Sequence, residues 1–217
     1  MTLTAETRVA IPGPAGSLQA VWAPAMTSGA AVAVVCHPHP LHGGTMDNKV
    51  VTTLARTCRD AGFAVLRFNF RGTGESAGVH DEGRGEVDDL LAVLEWLRPE
   101  HGDRPLLLAG FSFGAWVCAA AVAKLPADWR LQQLVLVAPP VHYAGFEAVA
   151  VPAGTLVIMG DADEVVEPVA MREWALARQP AASLWCLEGA SHFFHGRLLE
   201  LREGLAARLL SAEGYGD

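Results

Sequence analysis

The 217-residue chain is 51% hydrophobic and 18% charged, enough apolar side chain for one well-buried core, so a single domain over residues 1–217 is expected. Its formal charge is −8, from 16 basic and 24 acidic residues, and no Lys/Arg cluster exceeds two residues, which leaves no electrostatic footprint for nucleic acid or an anionic membrane. No apolar run approaches the roughly 18 residues that span a bilayer, and the N-terminus carries no basic segment leading into an apolar stretch, so a soluble, cytoplasmic protein is expected. Cys36, Cys58, Cys118 and Cys186 are scattered with no Cys-x-x-Cys pair, a pattern of reduced thiols rather than of bridges or zinc.

Two alternating, strand-like pieces come first, Thr7–Ile11 and Ser17–Trp22. The run Ala30–Cys36 is continuously small and apolar, as in a strand buried on both faces. In Asp47–Arg59, Val50, Val51, Leu54 and Cys58 recur at helical spacing and Ala61-Gly62 supplies a stop. The alternation continues with strand Ala64–Phe70, helix Glu86–Leu97, strand Leu106–Ala109, helix Ala115–Lys124 and strand Leu134–Val137. Strand Thr155–Met159, helix Val169–Ala177, strand Ser183–Leu187 and helix Arg197–Leu210 complete the series, without internal repeat, low-complexity tract or linker. Such a series predicts an α/β fold, a mostly parallel eight-stranded sheet with helices on both faces after an antiparallel start. Ligands of these sheets lie beyond the carboxyl ends of the strands, so the residues just after each strand are the ones that carry chemistry.

Gly110-Phe111-Ser112-Phe113-Gly114 follows one strand and opens a helix. So abrupt a turn demands a strained serine backbone, and side chains at the glycine positions would collide across it. The hydroxyl is left exposed at a helix N-terminus, where partial positive charge favours a developing anion. A nucleophilic serine needs a base, and the base an acid to orient it. His192 follows the last strand in Glu-Gly-Ala-Ser-His-Phe-Phe, and Asp161 and Asp163 follow the strand before it in Met-Gly-Asp-Ala-Asp-Glu-Val-Val. The chain order is thus nucleophile, acid, base.

On these residues the chain resembles the α/β-hydrolase superfamily, over nearly its whole length. It is most similar to the small, lidless bacterial branch related to dienelactone-hydrolase-like enzymes, through His-Pro-His-Pro-x-x-Gly-Gly at His37–Gly44 and Arg-Phe-Asn-Phe-Arg-Gly-x-Gly-x-Ser at Arg67–Ser76. The resemblance implies a triad in which Ser112 is the nucleophile, His192 the base and Asp163 the acid, because the superfamily's Gly-x-x-Asp spacing runs from Gly160 to Asp163. Asp161 is the lesser candidate, read as a turn or capping residue. It further implies an oxyanion hole made by the backbone N–H of Phe113 and one from the loop after Cys36. Pro38 and Pro40 have no N–H, so that donor falls on His39, with Leu41 as the fallback; Pro38 stands where the superfamily usually has glycine.

Other patterns compete. His37, His39 and His42 could suggest a metal, but the intervening prolines and the lack of a nearby Cys or carboxylate leave the set incomplete, and none is expected. Gly72-Thr73-Gly74-Glu75-Ser76-Ala77 fits a loose dinucleotide fingerprint, yet more loop follows where a helix should open, so no cofactor is expected. Arg71 with Asp81, Glu86 and Asp88 reads as a salt-bridged support, His142 and Tyr143 as a solvated loop rather than the pocket mouth, and His195 as a helix-start residue rather than a second base. Trp22, Phe111, Phe113 and Trp116 read as core rather than as an acyl pocket. Between Val137 and Thr155 there is no room for a lid. The expected activity is hydrolysis of small to medium carboxylic esters or thioesters; the alternatives are a peptidase or acyltransferase on the same triad, or a binding protein on the hydrolase fold.

Overall fold

The computed structural model describes residues 5–178 and 181–212; the remaining residues of the expected 1–217 unit lie outside it. Eight strands form one sheet: β1 (Thr7–Gly13), β2 (Gly16–Ala23), β3 (Val32–Cys36), β4 (Ala64–Phe68), β5 (Pro105–Phe111), β6 (Arg130–Val137), β7 (Leu156–Gly160) and β8 (Ser183–Leu187). Their order is β1-β2-β4-β3-β5-β6-β7-β8. β2 runs antiparallel to both β1 and β4, and every other neighbouring pair is parallel. β3, Val-Ala-Val-Val-Cys, is buried at every position because it is flanked by strands on both edges and covered on both faces.

The helices are α1 (Lys49–Asp60), α2 (Arg84–His101), α3 (Phe113–Val122), α4 (Pro168–Leu176) and α5 (Leu198–Ala212). α1 and α5 cover one face of the sheet, burying Val50, Leu54, Cys58, Leu201 and Leu205. α2, α3 and α4 cover the other, with Leu90, Leu94, Val117, Cys118, Met171 and Trp174. The chain adds β4 on one side of β3 and then β5 on the other. The connections after β3 and β5 therefore lead to helices on opposite faces, and a crevice opens between the loops that leave those strands.

Several element ends differ from those the sequence predicts, for local reasons. β4 stops at Phe68 and not Phe70: the Asn69 N–H still reaches the Gln19 carbonyl of β2 (2.8 Å), but the Phe70 N–H is taken by the His37 Nε2 (3.0 Å). α1 starts at Lys49, since the Asn48 Oδ1 accepts the Val50 N–H (2.9 Å) as its cap. α2 runs past Pro99 to His101, the proline sitting in the last turn. β6 begins four residues earlier than its apolar half, at Arg130, and is bulged: Leu106 pairs with Leu131 but Leu107 with Gln133.

The turn from β5 into α3 is tight. Ser112 has φ 53° and ψ −118°, and its N–H donates to the Val137 carbonyl (2.8 Å). A β-carbon on Gly110 would come within 2.2 Å of the Gly114 carbonyl oxygen. Because that obstacle is backbone, no rotamer relieves it. Gly110→Ala is expected to destabilise the protein by about 3 kcal/mol, read as a lower urea midpoint at unchanged slope; a wild-type midpoint would contradict the contact.

Candidate active site

Ser112 leaves β5, Asp163 follows β7 and His192 follows β8, so three parallel strands, with β6 between the first two, bring the three side chains to one edge of the sheet. His192 Nε2 lies 3.1 Å from Ser112 Oγ, and His192 Nδ1 lies 2.8 Å from Asp163 Oδ2. With the carboxylate accepting from Nδ1–H, Nε2 is left to accept the serine proton. Asp163 Oδ1 accepts two backbone N–H groups, from Val165 (2.9 Å) and Val166 (2.8 Å). Burial by itself would raise the Asp163 carboxyl, but the bonds from His192 and from the Val166 and Val165 amides outweigh it, and the group is held below its ordinary value. It is thus an anion facing the ring. Asp161 does something else: its Oδ1 accepts the Gly189 N–H (2.5 Å), tying the loop after β7 to the loop that carries His192.

The loop after β3 closes the opposite wall. Its Pro40–His42 segment is a 3₁₀ turn capped by His39, whose Nδ1 accepts the Leu41 N–H (3.2 Å). Leu41 therefore has its amide in use. The amides of His39 and Phe113 have no acceptor among the described residues. Those two stretches abut, because a β-carbon on Gly114 would meet the carbonyl oxygens of Cys36 (2.5 Å) and His37 (2.6 Å). His37 itself is buried; its Nδ1 sits 2.6 Å from the Pro38 carbonyl and its Nε2 accepts the Phe70 N–H.

The sequence profile of the serine aminopeptidase S33 family matches residues 30–150. The chain belongs to that family of α/β serine hydrolases. An α/β serine hydrolase homologue from Coxiella burnetii is 43% identical, covering 96% of this chain and 99% of its own, at a TM-score of 0.87. XC6422 from Xanthomonas campestris, described as an α/β serine hydrolase without lid, is 42% identical over 97% of this chain and 96% of its own, again at 0.87. The uncharacterized protein RP471 of Rickettsia prowazekii is 34% identical over 93% of this chain and 87% of its own. This hydrolase shares the lidless form: residues 138–155 between β6 and β7 hold only a 3₁₀ turn, Phe146–Ala148. No helix among the described residues is long and apolar enough to cross a membrane.

A cleft of about 310 Å³ opens over Ser112, lined on one side by Pro38, His39, His42 and Asn48 and on the other by Pro140, His142, Tyr143, Val165 and Phe193. A larger hollow of about 390 Å³ lies between α1 and α5 and contains none of the residues of the Ser112–His192–Asp163 line. His142 and Tyr143 line the cleft, contrary to the solvated loop expected for them; Tyr143 packs on Trp116, which holds the loop inward. Asn48, Val165 and Phe193 were not singled out in the sequence, where a helix cap and single members of the Val165-Val166 and Phe193-Phe194 pairs carry no chemical signal. Phe111 and Phe113 are core, and Trp22 packs on Trp96 and His101, apart from the cleft. His195 is exposed just ahead of α5.

The support around Arg71 also differs in its partner. Arg71 grips Asp89, not Asp88, with Nη2 to Oδ1 at 2.8 Å and its backbone N–H to Oδ2 at 2.9 Å. Asp88 pairs with Lys124 at 3.7 Å. On α2 the position three residues after buried Glu86 is 89, so Asp89 shares its inward face and Asp88 does not.

His37 makes the wall of the cleft sensitive to acid. Burial pushes its pKa down from 6.5 to about 4. Between those values the unfolded chain binds a proton that the fold refuses, so stability is intact above pH 6.5 and falls as pH drops through the window to about 4, by about 3 kcal/mol in all. Urea unfolding at pH 7 and pH 4.5 is expected to show this loss in the wild type and to show it reduced by about 2 kcal/mol in His37→Gln, which has no proton to take up.

Proposed function

We propose that the protein is an esterase that cleaves small to medium carboxylic esters and thioesters through an acyl-enzyme on Ser112. His192 takes the hydroxyl proton as Oγ bonds to the substrate carbonyl carbon, and Asp163 orients the ring and stabilises the imidazolium. The carbonyl oxygen becomes an oxyanion, received by the N–H groups of Phe113 and His39 at the N-terminus of α3. The leaving alcohol or thiol carries away the proton held by His192. Water then attacks the acyl-enzyme with the same base, releasing the acid and regenerating Ser112. The observation that carries this reading is the continuous Ser112–His192–Asp163 hydrogen-bonded line, at 3.1 and 2.8 Å, with the serine in a backbone conformation that only a demanding turn sustains. No cofactor enters the scheme. The cleft has no lid, so water reaches the serine, which favours hydrolysis over transfer to another acceptor.

The family's name raises an aminopeptidase as the second reading. A site for a free amino terminus needs an anionic partner for the ammonium, and among the described residues no carboxylate lines the cleft; its polar lining is Ser112, histidines, Asn48 and Tyr143. Esters are therefore expected to be cleaved at least a hundredfold faster, in kcat/KM, than aminoacyl p-nitroanilides, as a side-by-side panel with p-nitrophenyl acetate and butyrate will show. In Ser112→Ala the ester rate is expected to fall at least a thousandfold and labelling by a fluorophosphonate probe to vanish. Asp163→Asn is expected to lose at least a hundredfold in kcat while still being labelled slowly. Full ester turnover by Ser112→Ala would remove the proposal.

A further inference from the structure

A buried pair that this chemistry leaves unused lies directly behind the cleft. Glu86, with no side-chain exposure, opens α2 and is fixed by backbone donors: Oε1 accepts the Asp81 N–H (2.9 Å) and Oε2 the Gly83 N–H (2.7 Å). His80 Nδ1 lies 2.9 Å from Glu86 Oε1, yet out of line for a hydrogen bond, so this buried nitrogen has a carboxyl neighbour and, among the described residues, no hydrogen-bonding partner. A buried imidazole in that state is costlier than a phenyl ring of similar shape. Packing by itself gives no reason for a histidine there.

The other side of the ring supplies one. His80 packs on His39 (ring centroids 4.8 Å) and on Phe113 (5.6 Å), the two residues whose backbone N–H groups form the oxyanion hole in the reading above. The His39 ring is also stacked on His42 at 4.5 Å and packed on Phe113 at 4.9 Å, and it caps the 3₁₀ turn through Nδ1. His39 stands between two prolines, at φ −53° and ψ 121°. Its backbone has little freedom except as a rotation of the whole turn, and the ring is the handle on that turn. Gly83 keeps this region closed, since a β-carbon there would fall on the Trp116 ring.

We propose that His80, wedged between the buried Glu86 carboxylate and the His39 ring, is a positioning residue that aims the His39 amide at the oxyanion formed on Ser112. This rests on the ester-hydrolase reading, and it makes α2 and the loop before it a working part of the site. Glu86 is the fixed end, held by the start of α2; His80 transmits that position to the loop after β3. A displacement of the donor of about 1 Å costs on the order of a hundredfold in rate without changing what binds the ground state.

The test is p-nitrophenyl acetate hydrolysis, with rates expressed per active site titrated by fluorophosphonate, together with inhibition by phenylboronic acid. In the inhibitor adduct the Ser112 oxygen bonds to boron, the displaced proton passes to His192, and a boron hydroxyl takes the oxyanion position. His80→Leu is expected to lower kcat per site at least tenfold, to leave KM within threefold, and to weaken phenylboronic acid at least tenfold. His80→Gln, which keeps a polar group between Glu86 and the His39 ring, is expected to retain kcat within threefold of wild type. Should His80→Leu fail to fold, His80→Phe carries the test, because it keeps the stack on His39 and offers Glu86 nothing; the same tenfold loss is expected. A kcat within twofold of wild type in the Leu or Phe variant, a loss expressed in KM instead, or a Gln variant as impaired as Leu would each overturn the positioning role. An active Ser112→Ala would instead bring down the hydrolase reading, so the two failures are separable.

Discussion

Gly114 presses its backbone against the end of β3, so close that a β-carbon would sit 2.5 Å from one carbonyl oxygen and 2.6 Å from the next. That contact places the first turn of α3 beside the His37–Gly44 loop, and with it Ser112 beside His39. Everything on the reactive edge follows from it. The serine turn is strained at φ 53°, and the strain persists because β5 is paired on both sides and the Ser112 N–H is bonded to β6. A looser packing of α3 against β3 would relax the turn and open the gap between the two amides.

The charged groups of the site are arranged by the same economy. Asp163, Glu86 and Asp89 are all buried, and each takes backbone N–H bonds besides its side-chain neighbour. Backbone donors come with the secondary structure and need no further ordering, so they satisfy a buried carboxylate's acceptor oxygens at little cost. Each of these acids then faces a particular cation or ring: Asp163 the His192 ring, Glu86 His80, Asp89 Arg71. The three pairs stand behind Ser112, behind the loop after β3 and behind the loop after β4.

Much of the fold was legible in the chain. The apolar run of β3, the helical spacing of Val50, Val51, Leu54 and Cys58, and the strand-to-helix context of Gly110–Gly114 all depend on neighbours close in sequence, where periodicity and turn chemistry speak directly. Strand ends were less legible. β4 stops short of Phe70, whose N–H is claimed by His37 in the loop after β3, distant in the chain. The Arg67–Ser76 stretch, readable as a family signature, is in the structure a support: Asn69 Oδ1 accepts the Met46 N–H, and the Ser76 hydroxyl donates to the Asn69 carbonyl.

By itself the sequence determined the alternation of strands and helices, the turn that exposes Ser112, and the order in which a serine, an acid and a histidine follow their strands, because steric and hydrophobic rules of short range act on adjacent residues. Only the tertiary structure decided that Asp89 rather than Asp88 holds Arg71, that Leu41 spends its amide on His39, that His142 and Tyr143 face the cleft, and that His80 joins Glu86 to His39. Each of those outcomes depends on the angle at which two elements distant in sequence meet, and a rotation of one residue along a helix, or a hydrogen bond claimed by a remote carbonyl, leaves no periodic mark in the chain.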